Sequence, residues 1–202
     1  EGGVWNFAYD AMNRLTRTAN PLGGVTTRTY NAKGWCVGET DAAGNTTAYT
    51  FDPAGAVTAI TDREGQKSVF TYDKMNRMLQ GTDPLGNTLS YTYDANGNRL
   101  TETNAEGYVT SYTYDAMNRR QKVTGPEGGE TAYTYDRGDR VASETDRLGH
   151  TSLSAYDAVT GGLLTETDER GYVTAYENDV CGRTTKITYP DGSAVSYTYD
   201  LL

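Results

Sequence analysis

The stretch GYVTSYTYDAMNRR, Gly107–Arg120, decides the fold. Its first half alternates, with Tyr108, Thr110, Tyr112 and Tyr114 on one side of an extended chain and Val109, Ser111 and Thr113 on the other. Both sides favour β structure. The second half, DAMNR (Asp115–Arg119), opens on Asp and carries Asn near its middle, which is the chemistry of a tight turn.

Working outward, the aromatic that closes this strand recurs every 21 residues, as Tyr9, Tyr30, Phe51, Tyr72, Tyr93, Tyr114, Tyr135 and Tyr156. After one extra residue, in AVTGG (Ala158–Gly162), the register resumes at Asn178 and reaches Tyr199. An Asp follows each anchor except Tyr30, where Asn31 stands instead. Fourteen residues after each anchor lies a glycine: Gly23, Gly44, Gly65, Gly86, Gly107, Gly128 and Gly149, then Gly171 and Gly192 in the shifted register. These glycines belong to a second kind of turn, such as DAAGN (Asp41–Asn45) or DPLGN (Asp83–Asn87), in which Gly supplies a positive φ. Each unit is therefore read as two strands of about six residues and two short turns.

Composition agrees with a fold that has little interior. Leu, Ile, Val and Phe make up 29 of 202 residues, while Tyr contributes 17 and Trp 2. So few aliphatics do not fill an ordinary core, and the net charge of -9 is modest for disorder at this length. A repeat array stabilised by backbone ladders and nearest-neighbour contacts fits both facts. Glycine at 23 positions and turn residues every ten or so leave no window for a stable helix. Ten units of two strands would extend on the order of 90 Å at the spacing between strands, and so long a sheet twists. Recurring pairs such as Tyr112 with Tyr114 and Tyr133 with Tyr135 would form aromatic ladders along it.

The same composition excludes several roles. Lys and Arg number 18 against 27 Asp and Glu, the opposite of a phosphate-binding surface. No stretch is apolar enough for a membrane span, and the N-terminal EGGVWNFAYD is unlike a signal peptide. His150 is the sole histidine, and the spacing around it suggests no metal or triad partners, so it reads as an exposed turn residue. Cys36 and Cys181, seven repeats apart, would lie roughly 65 Å from each other in an uncurled ribbon and read as free thiols. The turn residues Asp41, Asp62, Asp83, Asp146 and Asp168 form no compact calcium loop and read as caps of their own turns. The arginines Arg14, Arg77, Arg99, Arg119, Arg140 and Arg183 stand near the other turn, placed to pair with Asp of neighbouring units. No catalytic residue, cofactor ligand or metal ligand is assigned; the anchors and turn glycines are the residues expected to carry the structure.

The strings YDAMNRLT (Tyr9–Thr16), YDKMNRML (Tyr72–Leu79), YDANGNRLT (Tyr93–Thr101) and YDAMNRR (Tyr114–Arg120), joined to TDPLGNTLSYTYD (Thr82–Asp94), resemble the YD repeats of bacterial Rhs proteins over essentially the whole chain. Related repeats build the shells of Tc toxins and the barrel of teneurins. The resemblance implies an all-β fold of tandem hairpins in a long, twisted, spiralling antiparallel sheet, a segment of a hollow shell around a C-terminal toxic polypeptide. It implies as partners the rest of that shell, its enclosed toxin and a secretion machinery, and implies export or surface display as part of a larger bacterial protein. The family's border motif, aspartyl autoprotease segment and variable toxin are not seen, so residues 1–202 read as one array of nine to ten units cut from a larger protein. Exposed sheet edges lead us to expect self-association. Departures from the pattern, namely Ala158–Gly162, Asn178 in place of an anchor, and Arg28 and Ser154 in place of the preceding aromatic, are where bulges or weak points of the ladder are expected. The competing readings are a glycan- or protein-binding surface module using Tyr, Trp5 and Trp35, and, weakest, a hydrolase.

Overall fold

A computed structural model describes residues 3–200. Among these residues the regular structure is entirely β. In chain order the strands are β1 (Asn6–Tyr9), β2 (Leu15–Ala19), β3 (Val25–Tyr30), β4 (Cys36–Thr40), β5 (Thr46–Phe51), β6 (Val57–Thr61), β7 (Lys67–Tyr72), β8 (Met78–Thr82), β9 (Thr88–Tyr93) and β10 (Arg99–Thr103). They continue as β11 (Val109–Tyr114), β12 (Arg120–Thr124), β13 (Glu130–Tyr135), β14 (Val141–Thr145), β15 (Thr151–Tyr156), β16 (Leu163–Thr167), β17 (Val173–Asn178), β18 (Thr184–Thr188) and β19 (Ala194–Ser196). A full repeat is a six-residue strand, a five-residue turn, a five-residue strand and a second five-residue turn, and these four pieces fill the 21-residue period.

The chain groups into two compact units, one running to Thr92 with Glu102–Tyr108, the other comprising Tyr93–Thr101 and the residues from Val109 onward. In the first, each strand from β1 to β9 pairs antiparallel with the next. In the second, the same holds from β11 to β19.

Apart from Asp157–Gly162, the turns are three-residue loops closed in the same way. In Asp41–Asn45 the Gly44 amide donates to the Asp41 carbonyl at 3.0 Å and the Asp41 amide to the Asn45 carbonyl at 2.9 Å. Such loops need a left-handed residue in fourth place, supplied by Gly44 at φ 87°. In DAMNR the same place is taken by Asn118 at φ 62°, because asparagine tolerates this region better than other side chains. The leading Asp is a cap. One Asp41 carboxylate oxygen accepts from the amides of Ala43 and Asn45, both at 2.9 Å. The Asp residues of the DxxG turns are thus engaged locally.

Two expectations are corrected here. A bulge is not confined to the irregular repeats. Wherever its register is described, the hairpin after an anchor contains one: Thr29 faces Gly38 and Tyr30 faces Cys36, leaving Val37 extra, and Thr113 and Tyr114 face Lys122 and Arg120, leaving Gln121 extra. The inserted residue near Ala158 makes no additional bulge, because the turn itself lengthens and the Asp157 amide reaches Gly162 at 2.8 Å. Tyr108, read as part of a strand face, lies in the turn before β11 and is largely exposed.

There is scarcely any interior. Among the described residues the buried apolar ones are Ala19, Ala56 and Ala59, and no side chain reaches full burial. No polar side-chain atom among the described residues is buried without a partner. Both faces of the sheet are wetted, so cohesion comes from backbone ladders and from contacts between adjacent repeats.

Candidate functional site

The anchors Tyr9, Tyr30, Phe51, Tyr72, Tyr93, Tyr114, Tyr135 and Tyr156 each end a strand, as does Asn178, while Tyr199 lies just beyond β19. The glycines Gly23, Gly44, Gly65, Gly86, Gly107, Gly128, Gly149, Gly171 and Gly192 all hold the left-handed place of the alternate turns, with φ between 79° and 88°. What the structure adds is how one anchor grips the preceding repeat.

Arg119 lies at the end of its turn. Its Nε donates to Asp115 at 2.8 Å, its Nη1 to the backbone carbonyl of Asp136 in the next repeat at 3.2 Å, and its guanidinium sits 4.6 Å from the centre of the Tyr135 ring. The Tyr135 hydroxyl reaches back and donates to the carbonyl of Arg120 at 2.7 Å. This double stitch repeats. Arg14 covers Tyr30 at 4.7 Å, whose hydroxyl donates to the Leu15 carbonyl at 2.8 Å. Arg183 covers Tyr199 at 4.6 Å, whose hydroxyl donates to the Thr184 carbonyl at 2.7 Å. Arg140 covers Tyr156 at 4.4 Å.

The arginines therefore act differently from the sequence expectation. The Asp partners of Arg14, Arg77, Arg119, Arg140 and Arg183 stand four residues back in their own turns. Arg119 makes a second ion pair into the next repeat, to Asp139 at 2.8 Å. Repeats are joined instead through carbonyls and ring faces. The expected tyrosine ladder is likewise interleaved, since Tyr30, Tyr135, Tyr156 and Tyr199 have guanidinium groups over their rings, and Arg99 and Arg120 lie 5.0 and 5.5 Å from Tyr112 and Tyr133.

The departures fit the same frame. Where the turn ends in Trp35 instead of Arg, the next anchor is Phe51, and the two rings lie 5.2 Å apart. Where it ends in Gly162, the anchor is Asn178, whose amide donates to the Leu163 carbonyl at 2.6 Å. A Cβ on Gly162 would lie 2.8 Å from that amide, so glycine is what admits the short anchor. Arg28 pairs with Glu39 on the adjacent strand at 2.7 Å. Opposite Ser154, Glu166 accepts a 2.5 Å hydrogen bond from Tyr176. That bond to a carboxylate pushes the Tyr176 phenol up to about 12.

The turn carboxylates are held in their charged form. Asp115 lies below the usual carboxylate range, first because of the Arg119 side chain and then its backbone amide. For Asp10 the Arg14 amide is the leading cause. Cys36 and Cys181 are free thiols. His150, for which the sequence suggested no partners, has two: its Nδ1 lies 3.2 Å from Asp146 and 3.7 Å from Glu169 in the following turn. The partner in the next repeat is invisible to local spacing and follows only from the pairing of adjacent hairpins.

No helix in the described residues is long and apolar enough to cross a membrane. No curated protein matches the sequence. Among solved structures, the crystal structure of TcdB2-TccC3 is similar over 95% of this chain and 13% of its own, with a TM-score of 0.67 at 18% identity. The Photorhabdus luminescens Tc holotoxin pore is similar over 91% of this chain and 12% of its own, with a TM-score of 0.63 at 15% identity. The chain thus spans a small fraction of those proteins, and at such identity the likeness speaks to the fold. The RHS Repeat profile matches four overlapping windows, residues 30–67, 51–88, 72–108 and 93–130, each advanced from the last by one period. With half of the sequence covered in phase with the hairpins just described, this chain belongs to the RHS repeat family.

Proposed function

We propose that the chain is a length of wall in an Rhs-type toxin shell, one array through residues 1–202, in which the anchors and turn glycines hold repeat to repeat while the wall spirals around a C-terminal toxic polypeptide. The observation that carries this reading is the in-phase run of RHS repeats on a hairpin fold shared with Tc toxin structures. A wall of this kind acts by excluding water-borne proteases and partners from its contents. It needs no nucleophile or base, and its partners are the remaining wall, the cargo and the export machinery that carries the assembly out of the cell.

The test is protease protection of the cargo in the full parent protein. Replacing Arg14, Arg119 and Arg140 by Ala is expected to leave the polypeptide expressed but open its cargo to cleavage. Cargo equally protected in the variant and the parent, or equally cleaved in both, would refute enclosure by this wall.

A second reading rests on the shallow groove of about 540 Å³ beside Trp35, lined also by Arg28, Tyr30, Glu39, Tyr49 and Phe51. An aromatic floor with a charged rim suits a sugar ring or a partner peptide. Binding of the chain to a glycan array that Trp35→Ala abolishes would favour this surface-module reading.

A further inference from the structure

The two kinds of turn alternate along the chain. At two steps the residue after the leading Asp of a DxxG-type turn approaches the preceding turn of that kind. Arg63 illustrates this, lying 3.8 Å from Asp41 and lining one small hollow with Asp41 and Asn45. Arg147 does the same, since a Cβ on Gly129 would lie 3.3 Å from its Cβ. At the next step the three places are filled by Asp146, His150 and Glu169.

Here no cation fills the third place. The Arg147 side chain packs over Gly129, on the preceding turn. One Asp146 oxygen is fixed by the amides of Leu148 and His150 at 2.8 and 2.9 Å, which leaves the other facing the imidazole at 3.2 Å. Glu169 approaches the same ring nitrogen at 3.7 Å. One ligand atom from each residue lies within 4.8 Å of the others. Burial alone would raise the Asp146 carboxyl, but the His150 and Leu148 amides, with the His150 ring, hold it lowered and therefore ionised at neutral pH.

We propose that Asp146, His150 and Glu169 form a surface site for a borderline divalent metal, with Zn²⁺ the best fit, clamping one turn to the next. One imidazole and two carboxylates are donors such an ion accepts, and water completes its tetrahedron. The imidazole binds through Nδ1 as the tautomer with its proton on Nε2; a proton on Nδ1 is released to solvent as the metal enters. The two carboxylates and the ion nearly cancel in charge, so the clamp replaces a repulsive pair of acids by a bridged one.

The site can be tested without disturbing the fold. Elsewhere in the array the His150 position holds Gly, Asn, Gln, Tyr or Ser, and the Glu169 position holds Pro, Ala or Arg. The probe is ZnCl₂, titrated calorimetrically into the tag-free chain carrying Cys36→Ser and Cys181→Ser, so that thiols do not compete. In parallel, the Cε1 proton of the sole histidine is followed by NMR. One zinc per chain is expected, with a shift of the His150 signal, no binding in His150→Gln, and binding at least about tenfold weaker in Glu169→Ala. Absence of zinc binding at sub-millimolar metal, survival of binding in His150→Gln, or parental affinity in Glu169→Ala would each overturn the proposal.

Discussion

At Tyr114 a single hydroxyl joins two repeats, donating to the Arg99 carbonyl at 2.9 Å. Replacing Tyr114 by Phe keeps the ring and removes that bond; a loss of about 0.5–1.5 kcal/mol is expected in chemical denaturation. Gly44 gives a cleaner test of backbone strain, because a Cβ there would meet nothing within 4 Å while φ stands at 87°. Gly44→Ala is therefore expected to cost about 1–2 kcal/mol through conformation alone, and Gly44→Asn less. The positions of anchors and glycines were legible in the sequence because each recurs at a fixed period and each performs a local task. Their partners were not. Sixteen residues separate Arg119 from the ring it covers, and the matched exchanges of Trp35 with Phe51 and Gly162 with Asn178 acquire meaning only once the register is known.

Among the strands and turns, acid exposes a shared dependence. Asp10, Asp41, Asp73, Asp83, Asp94, Asp115, Asp136, Asp157, Asp179 and Asp191 all titrate below the ordinary aspartate value of 3.8, held by turn amides and, in several copies, by Arg. With the folded value depressed, the unfolded chain binds more protons across this interval. Their stabilisation is therefore complete above 3.8 and is lost as pH falls through the folded values. Circular dichroism is expected to show unfolding below about pH 4, at higher pH for Asp115→Asn than for the parent chain. The strand order and both turn types followed from alternation and turn chemistry. The recurring bulge did not, because its extra residue is Thr16, Val37, Leu79 or Gln121 in different copies and so leaves no compositional mark. The inserted residue is held wholly by the Asp157–Gly162 turn. Deleting Val159 is thus expected to preserve the pairing of Leu153 with Thr167, read as a cross-strand NOE.

For the molecule as a whole, the outer strands matter most. Among the described pairings β1 bonds only to β2 and β19 only to β18, which leaves one side of each backbone available for another chain. The isolated chain is expected to self-associate with concentration in analytical ultracentrifugation, and Ser196→Pro, at a position whose amide faces the open side of β19, to reduce it. Stability spread over like units also makes loss gradual, with the last hairpin shed without collapse of the rest. The double stitch has a genetic counterpart. Because a typical unit offers its successor the same carbonyl and guanidinium that it takes from its predecessor, an in-frame duplication of one coding period inserts a unit that fits on both sides. Recombination can lengthen or shorten such a wall one hairpin pair at a time, so its reach is open to selection independently of whatever it adjoins.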